Sequence, residues 1–258
     1  MNEQKIAIIT GSGGGGSGRA IARRFAREGA SVVVTDIDDA GGRETMRLIQ
    51  AEGGRASFFR ADLGVQQQVR ELLAFAEETY GGLDILVNNA SFPYHPEAPF
   101  EYWIETIEVD LLAAVLASRL AIDLMRKRAG GAIVSISSTS ALGHGREHAQ
   151  VPAFDVAKAG LIRFTTALGR LAQEGIRVNC LVPGWIASPQ VREYVDSLTP
   201  EQRKARGVPD VILEPDEIAD AVFQLATDET LAGRVMVWRN GHPRRLIAQG
   251  DQGYAGLE

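Results

Sequence analysis

The sequence has little cysteine, little histidine and no long apolar run. One of its 258 residues is cysteine and four are histidine. A single thiol, Cys180, cannot form an intrachain disulfide, so we expect a protein of the reducing cytoplasm. Cys180 lies in an apolar segment, which favours a buried structural thiol. No segment approaches the roughly 18 apolar residues of a membrane span, and the first residues do not resemble a signal peptide.

An excess of basic charge is also absent. The chain has 27 lysines and arginines against 33 aspartates and glutamates, which gives a formal net charge of −6. We therefore expect binding neither to nucleic acid nor to an acidic membrane surface. The histidines, the cysteine and the carboxylates show no metal-ligand spacing, so no metal site is expected. The hydrophobic fraction of 45% is typical of a soluble globular protein with a sizeable core.

Short apolar segments alternate with segments of helical periodicity along the whole chain. Strands are predicted at 5–10, 31–36, 56–61, 83–89, 132–137, 176–182 and 234–238. Helices are predicted at 18–28, 40–52, 65–80, 100–128, 152–174 and 215–227. Strands that are apolar on both faces are typical of a buried parallel sheet. The pattern predicts a single α/β domain over residues 1–258, a Rossmann-type doubly wound sheet of about seven mostly parallel strands with helices on both faces.

Two segments stand out from this alternation. Residues 184–214 contain several prolines and no clear strand, and we interpret them as a partly helical lid near a ligand. The first strand leads into the glycine-rich segment TGSGGGGSGRAIA at 10–22. Glycines let the backbone approach a pyrophosphate, and the following helix N-terminus offers free N–H groups. A flexible loop without a ligand is the alternative, but the position between a buried strand and a helix favours a dinucleotide site.

The order of the motifs resembles the short-chain dehydrogenase/reductase family. The motifs are the glycine loop, Asp36 at the end of the second strand, ADL at 61–63, NNA at 88–90 and PGWIAS at 183–188. The resemblance implies that the glycine loop holds the pyrophosphate, that Asp62 lies beside the adenine, and that the PG turn contacts the nicotinamide. It implies this set of cofactor-binding residues: Gly11, Gly16, Ser17, Gly18, Asp36, Asp62, Leu63, Asn89, Ala90, Lys158, Pro183, Gly184, Ile186 and Ser188.

The glycine loop departs from the family pattern in its length. Four residues separate Gly11 from Gly16, where the family has three, so the register of Gly15 against Gly16 is open. Asp36 bears on the choice of cofactor, because a carboxylate there accepts hydrogen bonds from ribose hydroxyls and repels a 2′-phosphate. No arginine stands at the neighbouring positions 35, 37 and 38. The sequence therefore predicts NAD, with NADP the less favoured cofactor.

The family's catalytic residues are matched only in part. Family members transfer a hydride at the nicotinamide, with a tyrosine as proton donor, a lysine four residues later, a serine and an asparagine. The resemblance aligns Lys158 with the lysine and Ser138 with the serine, but Phe154 with the tyrosine and Asp110 with the asparagine. Ser91 also stands where the family's NNAG motif has glycine. Phenylalanine has no hydroxyl, so the usual proton donor is missing.

Three functions remain open at this point. The protein is an oxidoreductase for a small or medium carbonyl or alcohol with a displaced proton donor, for which His148 is the first candidate and His144 and Tyr94 are others. Alternatively, it binds NAD(H) and catalyses little, as a sensor or interaction subunit. In a third possibility, Asp110, Lys158 and a histidine handle protons in lyase or isomerase chemistry.

The two long predicted helices, 100–128 and 152–174, are apolar over more than one face. Leu112, Val115, Leu161 and Phe164 are among the residues that extend the apolar surface. Family members pair the corresponding helices, so we expect a homodimer or homotetramer and, as the other partner, a small-molecule substrate.

Overall fold

The computed structural model describes residues 4–93, 99–128, 130–143 and 151–248. Its centre is a sheet of eight strands in the order β3-β2-β1-β4-β5-β6-β7-β8. Neighbouring strands from β3 to β7 are parallel, and β8 is antiparallel to β7. The strands are β1 (Ile6–Thr10), β2 (Ser31–Asp36), β3 (Arg55–Arg60), β4 (Ile85–Asn88), β5 (Gly131–Ile136), β6 (Ile176–Pro183), β7 (Val235–Trp238) and β8 (Arg245–Leu246).

Helices connect the parallel strands. They are α1 (Ser17–Arg27), α2 (Asp39–Ala51), α3 (Gln66–Tyr80), α4 (Phe100–Ile107), α5 (Ala113–Lys127), α6 (Pro152–Ala167), α7 (Pro189–Asp196), α8 (Pro200–Ala205) and α9 (Pro215–Thr227). None of the helices in the described ranges is both long enough and apolar enough to span a membrane.

The predicted doubly wound α/β fold is confirmed, with three differences in detail. The short strand β8 was not predicted, because two exposed residues carry no strand pattern. The single helix predicted at 100–128 is wrong, since a π-helical turn at Glu108–Leu112 separates α4 from α5. The helix predicted at 152–174 is also wrong in its end, because α6 stops at Ala167 and a 3₁₀ helix follows at Gly169–Glu174.

Both faces of the sheet are buried, as the apolar strand segments predict. In β1, Ala7 and Ile9 pack with α1 and α9, while Ile6 and Ile8 pack with α3 and α5 on the other face. Successive side chains of a strand point to opposite faces, so a strand covered on both faces needs apolar residues throughout. The core therefore lies in two layers, one on each side of the sheet.

The strand order changes direction between β1 and β4. The chain runs from β1 outward to β2 and β3, then returns so that β4 pairs with the other side of β1. Ligands of doubly wound sheets bind beyond the carboxyl ends of the strands at such a point. Gly11 after β1 and Asn89 after β4 meet there, and Ser138 follows β5 next to them along the same edge.

The segment 184–214 is partly helical, with α7 and α8 separated by a short turn. Its two ends are joined by an isolated parallel bridge between Ile186 and Leu213. The Leu213 N–H donates to the Trp185 carbonyl, and the Leu213 carbonyl accepts from the Ala187 N–H. The segment is therefore a closed excursion at the edge where the strands end. Its function as a lid remains a prediction.

Candidate functional site

The glycine loop ends at a helix N-terminus that no side chain caps. Gly16 is the residue before α1, and the first turn of the helix contains no acidic residue. The free N–H groups and the positive end of the helix dipole are therefore available to an anion. A cavity of about 500 Å³ is lined by Gly15 and Gly16 of this loop, by Ala187 of the PGWIAS segment and by Pro189, which follows that segment. These residues fit the pyrophosphate of a dinucleotide.

Gly11 and Gly18 are required by close backbone approach. Gly11 has a φ of +63°, and a Cβ there would lie 2.6 Å from Ala90 Cα. A Cβ on Gly18 would overlap the Gly11 carbonyl oxygen and lie 2.6 Å from Asn89 Nδ2. Asn89 in turn donates to the carbonyls of Thr10 and Gly11 at 2.8 and 3.0 Å, and accepts from the Ser17 hydroxyl at 2.8 Å. The predicted residues Asn89 and Ser17 thus hold the loop in shape.

Asp36 is attached to the glycine loop from the end of β2. Its Oδ2 accepts a hydrogen bond from the Gly13 N–H at 2.7 Å, and its Oδ1 accepts one from the Asp38 N–H at 3.0 Å. An ionised carboxylate has about four acceptor positions, so Asp36 retains capacity for ribose hydroxyls.

Lys158 and Asp110 form a buried ion pair. The distance from Lys158 Nζ to Asp110 Oδ2 is 3.1 Å, and the two residues are 3% and 1% exposed. The Asp110 carboxylate also accepts from the Ser91 hydroxyl at 2.7 Å and from the Phe92 N–H at 2.5 Å. Asp110 reaches these donors from the π-helical turn. The carboxylate is thus held by three donors from two segments of the chain.

Phe154 and Ser138 complete this part of the site. The Lys158 ammonium lies over the ring of Phe154, with Nζ at 5.3 Å from the ring centroid. Ser138 Oγ accepts hydrogen bonds from the Ser140 N–H at 3.2 Å and the Ser140 hydroxyl at 3.0 Å. Since Ser138 is the acceptor in both bonds, its own hydroxyl hydrogen can be donated to a substrate oxygen.

The other predicted cofactor residues lie around the groove. The Asp62 Oδ1 closes a turn by accepting from the Gly64 N–H at 2.9 Å, and Leu63 packs against the core. Pro183 ends β6, and Ser188 caps α7 by accepting from the Val191 N–H. Gly184 stands where a Cβ would overlap Asn240 Oδ1.

Comparisons with known proteins agree with this geometry. The family described as short chain dehydrogenase matches residues 5–198. The chain belongs to the short-chain dehydrogenase/reductase family. It is 30% identical to the D-beta-hydroxybutyrate dehydrogenase of Cupriavidus necator, over 92% of this chain and 96% of that protein. It is 36% identical to the L-rhamnose 1-dehydrogenase (NAD(P)(+)) of Azotobacter vinelandii, over 87% of this chain and 90% of that protein.

A solved structure shares the fold at similar identity. It is a 7 alpha-hydroxysteroid dehydrogenase complexed with NADH and 7-oxo glycochenodeoxycholic acid, with a TM-score of 0.81 and 30% identity, covering 94% of this chain and 96% of that one. The family match and these relatives establish a short-chain dehydrogenase/reductase of the oxidoreductase class.

Several residues that hold the glycine loop in place were not predicted from the sequence. Arg19 donates to the Gly13 carbonyl at 2.6 Å and to the Thr45 hydroxyl at 2.8 Å, and Thr45 donates to the Ser12 carbonyl at 2.7 Å. Thr10 accepts from the N–H groups that follow Asn88. Only Thr10 had a signal, as the first residue of the TG motif. The contacts of Arg19 and Thr45 have no local pattern.

Asn240 is a further residue that sequence reasoning missed. Its side chain accepts from the Trp185 N–H at 2.8 Å and donates to the Trp185 carbonyl at 2.9 Å. It therefore holds the PG turn that the family resemblance places at the nicotinamide. Asn240 lies 55 residues from Trp185, so periodicity cannot predict the contact.

The candidate proton donors differ in what the structure shows. His148, His144 and Tyr94 lie outside the described residues. Tyr102 donates to the Pro93 carbonyl, and its pKa is raised above the ordinary value by burial and by the charges of Glu105 and Asp110. A raised pKa is the opposite of what a catalytic tyrosine needs near neutral pH.

Burial raises the pKa of the Cys180 thiol to about 12, which confirms the prediction of a buried thiol.

Proposed function

We propose that the protein is an NAD(H)-dependent oxidoreductase that acts on a small or medium carbonyl or alcohol with a non-standard proton donor. The observation that carries this proposal is Ser138, whose hydroxyl caps the 3₁₀ helix Thr139–Leu142 by accepting from Ser140 and keeps its own hydrogen for a substrate oxygen. A protein that only bound the cofactor would need no donor for a substrate oxygen. When bound, the nicotinamide would supply the hydride, and Ser138 would orient the carbonyl that receives it.

The substrate class rests on the relatives and on the composition of the site. The relatives include a hydroxy acid dehydrogenase, a sugar dehydrogenase and a steroid dehydrogenase, which act on a carbonyl or alcohol carbon. Two aromatic pairs follow the strands β4 and β6, since Phe92 contacts Tyr102 and Trp185 stacks on Tyr194. Aromatic side chains near a site suit a small organic molecule.

The preference for NAD rests on Asp36. We expect Asp36→Ala to weaken NADH binding and to reduce the discrimination against NADPH by about tenfold or more, because a carboxylate no longer faces the 2′-position. Fluorescence titration with both reduced nucleotides measures the two affinities. The exposed Asp39, paired with Arg43, gives a control of equal charge change in Asp39→Ala. Equal shifts in both variants would contradict a specific role of Asp36.

A second candidate function is supported by the Asp110–Lys158 pair. The carboxylate neutralises the ammonium, and Phe154 places an apolar ring on it. A lysine that is neutralised and covered in this way suits a protein that binds NAD(H) as a sensor and has little catalytic activity. Losing a general acid lowers a rate by about 10²–10⁴-fold, which would leave hydride transfer weak.

One experiment separates the functions. The protein is mixed with NADH and a panel of ketones, sugars and keto acids, and both the nicotinamide absorbance and the products are followed. Loss of absorbance with reduction of a carbonyl supports the oxidoreductase. Binding of NADH without turnover supports the sensor, and conversion without absorbance change supports lyase or isomerase chemistry. No uptake of NADH or NAD at millimolar concentration would contradict the cofactor proposal.

We propose a homo-oligomer formed through α4, α5 and α6. Phe100, Ile104, Leu112 and Val156 are exposed on neighbouring elements, and large exposed apolar patches mark interaction surfaces. We expect Val156→Glu to shift the protein toward monomers in size-exclusion chromatography with light scattering. Val211 is exposed to 58% against 59% for Val156, so Val211→Glu is a matched control outside these helices. A monomeric wild type would contradict the proposal.

A further inference from the structure

Three departures from the family pattern surround one side chain. Asp110 pairs with Lys158, Ser91 donates to the same oxygen of Asp110, and the ring of Phe154 lies under Lys158 Nζ. These positions hold asparagine, glycine and tyrosine in the family pattern. Asp110 and Phe154 contact Lys158 directly and Ser91 reaches it through Asp110, so the four residues form one altered unit, which we call the Lys158 unit.

The Lys158 unit contains a charged ammonium group that is buried in the protein interior. Burying a charge costs free energy unless a partner and hydrogen bonds compensate it, and Asp110 supplies that compensation here. Lysine has three N–H donors, of which one points to Asp110 at 3.1 Å and one to the Ile136 carbonyl at 3.4 Å. One donor therefore remains for a ligand.

We propose that Lys158 is the proton donor of this protein, and that Asp110 and Ser91 are positioning residues that hold its ammonium. The inference rests on the proposed oxidoreductase function. In the reducing direction, a hydride reaches the carbonyl carbon and the π electrons of the carbonyl pass to its oxygen. Lys158 then gives one N–H proton to that oxygen, directly or through one water, and becomes a neutral amine. The amine regains its proton from solvent, and oxidation of an alcohol follows the reverse path.

Lys158 suits this task better than the other described groups. Negative charge develops on the carbonyl oxygen, and a nearby ammonium stabilises it as well as donating the proton. The hydroxyl of Tyr102 is used by the Pro93 carbonyl. Asp155 follows Phe154 on α6 and has a buried Oδ1 without a hydrogen bond, but a carboxylate would repel the developing charge.

The first test replaces Lys158 and restores its chemistry from solution. We expect Lys158→Ala to lower carbonyl reduction by at least about 10²-fold at saturating NADH. Methylammonium, which has N–H groups, should restore part of the turnover, whereas tetramethylammonium, which has none, should not. NADH affinity, measured by fluorescence, reports cofactor binding separately in each variant. Full turnover of Lys158→Ala, or equal rescue by both cations, would overturn the inference while leaving the oxidoreductase function intact.

Two further variants compare rival donors. His148→Ala and Asp155→Asn should each retain turnover within about tenfold of wild type, since neither group is the donor. If the turnover of either variant falls as far as that of Lys158→Ala while its NADH affinity is unchanged, the residue replaced in that variant is the proton donor and the inference is wrong. A wild type that binds NADH and reduces no carbonyl would contradict the proposed function, and this inference with it.

The positioning role of Asp110 and Ser91 is tested by restoring the family residues. We expect Asp110→Asn to lower kcat about tenfold or more with a smaller change in KM, because the ammonium is less firmly held while the substrate contacts remain. Ser91→Gly should have little further effect in the Asp110→Asn background, since both act through one carboxylate. A shared role would be contradicted if the two substitutions lowered kcat additively, or if they changed KM alone.

Discussion

Phe154→Tyr is expected to raise NADH-dependent carbonyl reduction by about tenfold, less than the 10²–10⁴-fold of a general acid added where none acts, because Lys158 already donates the proton. The ring already lies against the Lys158 ammonium, with 5.3 Å between Nζ and the ring centroid. A hydroxyl added to this ring would therefore stand in the field of a cation, which lowers the pKa of a phenol. The rate is measured by nicotinamide absorbance with the best carbonyl of the panel.

The control for this gain is a second phenylalanine of the same helix. Phe164 is also partly buried on α6 but lies ten positions further along the chain, so Phe164→Tyr adds a hydroxyl away from Lys158. NADH affinity should change little in either variant. Unchanged turnover in Phe154→Tyr, with intact NADH binding, would show that Phe154 does not occupy the acid position that the family alignment gives it.

Asp110→Ala is expected to lower the free energy of unfolding by about 3–5 kcal/mol, the cost of leaving a buried charge without its partner. The substitution leaves Lys158 at 3% exposure and removes the acceptor of the Ser91 hydroxyl and the Phe92 N–H. Urea denaturation monitored by circular dichroism measures the change. Adding Lys158→Met should recover part of the loss, because no unpaired charge then remains buried.

A surface ion pair in the same helical region provides the control. Asp123 pairs with Arg119 at 2.5 Å, but both side chains are about half exposed. Exposed pairs contribute about 0–1 kcal/mol, so Asp123→Ala should change the stability little. A loss in Asp110→Ala no larger than that in Asp123→Ala would mean that the Lys158 ammonium does not depend on Asp110 for its compensation.

Local sequence was sufficient for the fold and for the phosphate loop. The apolar strands and amphipathic helices follow from periodicity over a few residues, so the strand positions agree with β1 to β7 within two residues. The glycine loop is recognised locally by its place between a buried strand and a helix, although Ala90 and Asn89 after β4 cause much of the crowding at Gly11 and Gly18. The π-helical turn has no such local signal, and it was missed.

Contacts between distant segments determined the rest of the site. The family pattern indicated Ser91, Asp110 and Phe154 as three separate departures, whereas the fold joins them around Lys158. The clamp of Asn240 on Trp185 arises in the same way, from the pairing of β6 with β7. Periodicity indicates which face of a helix or strand is buried. The pairing of charged side chains from distant segments depends instead on how the fold places the ends of the strands next to one another. In this protein, that arrangement places Phe154, at the family's tyrosine position, against a buried lysine that is paired with Asp110.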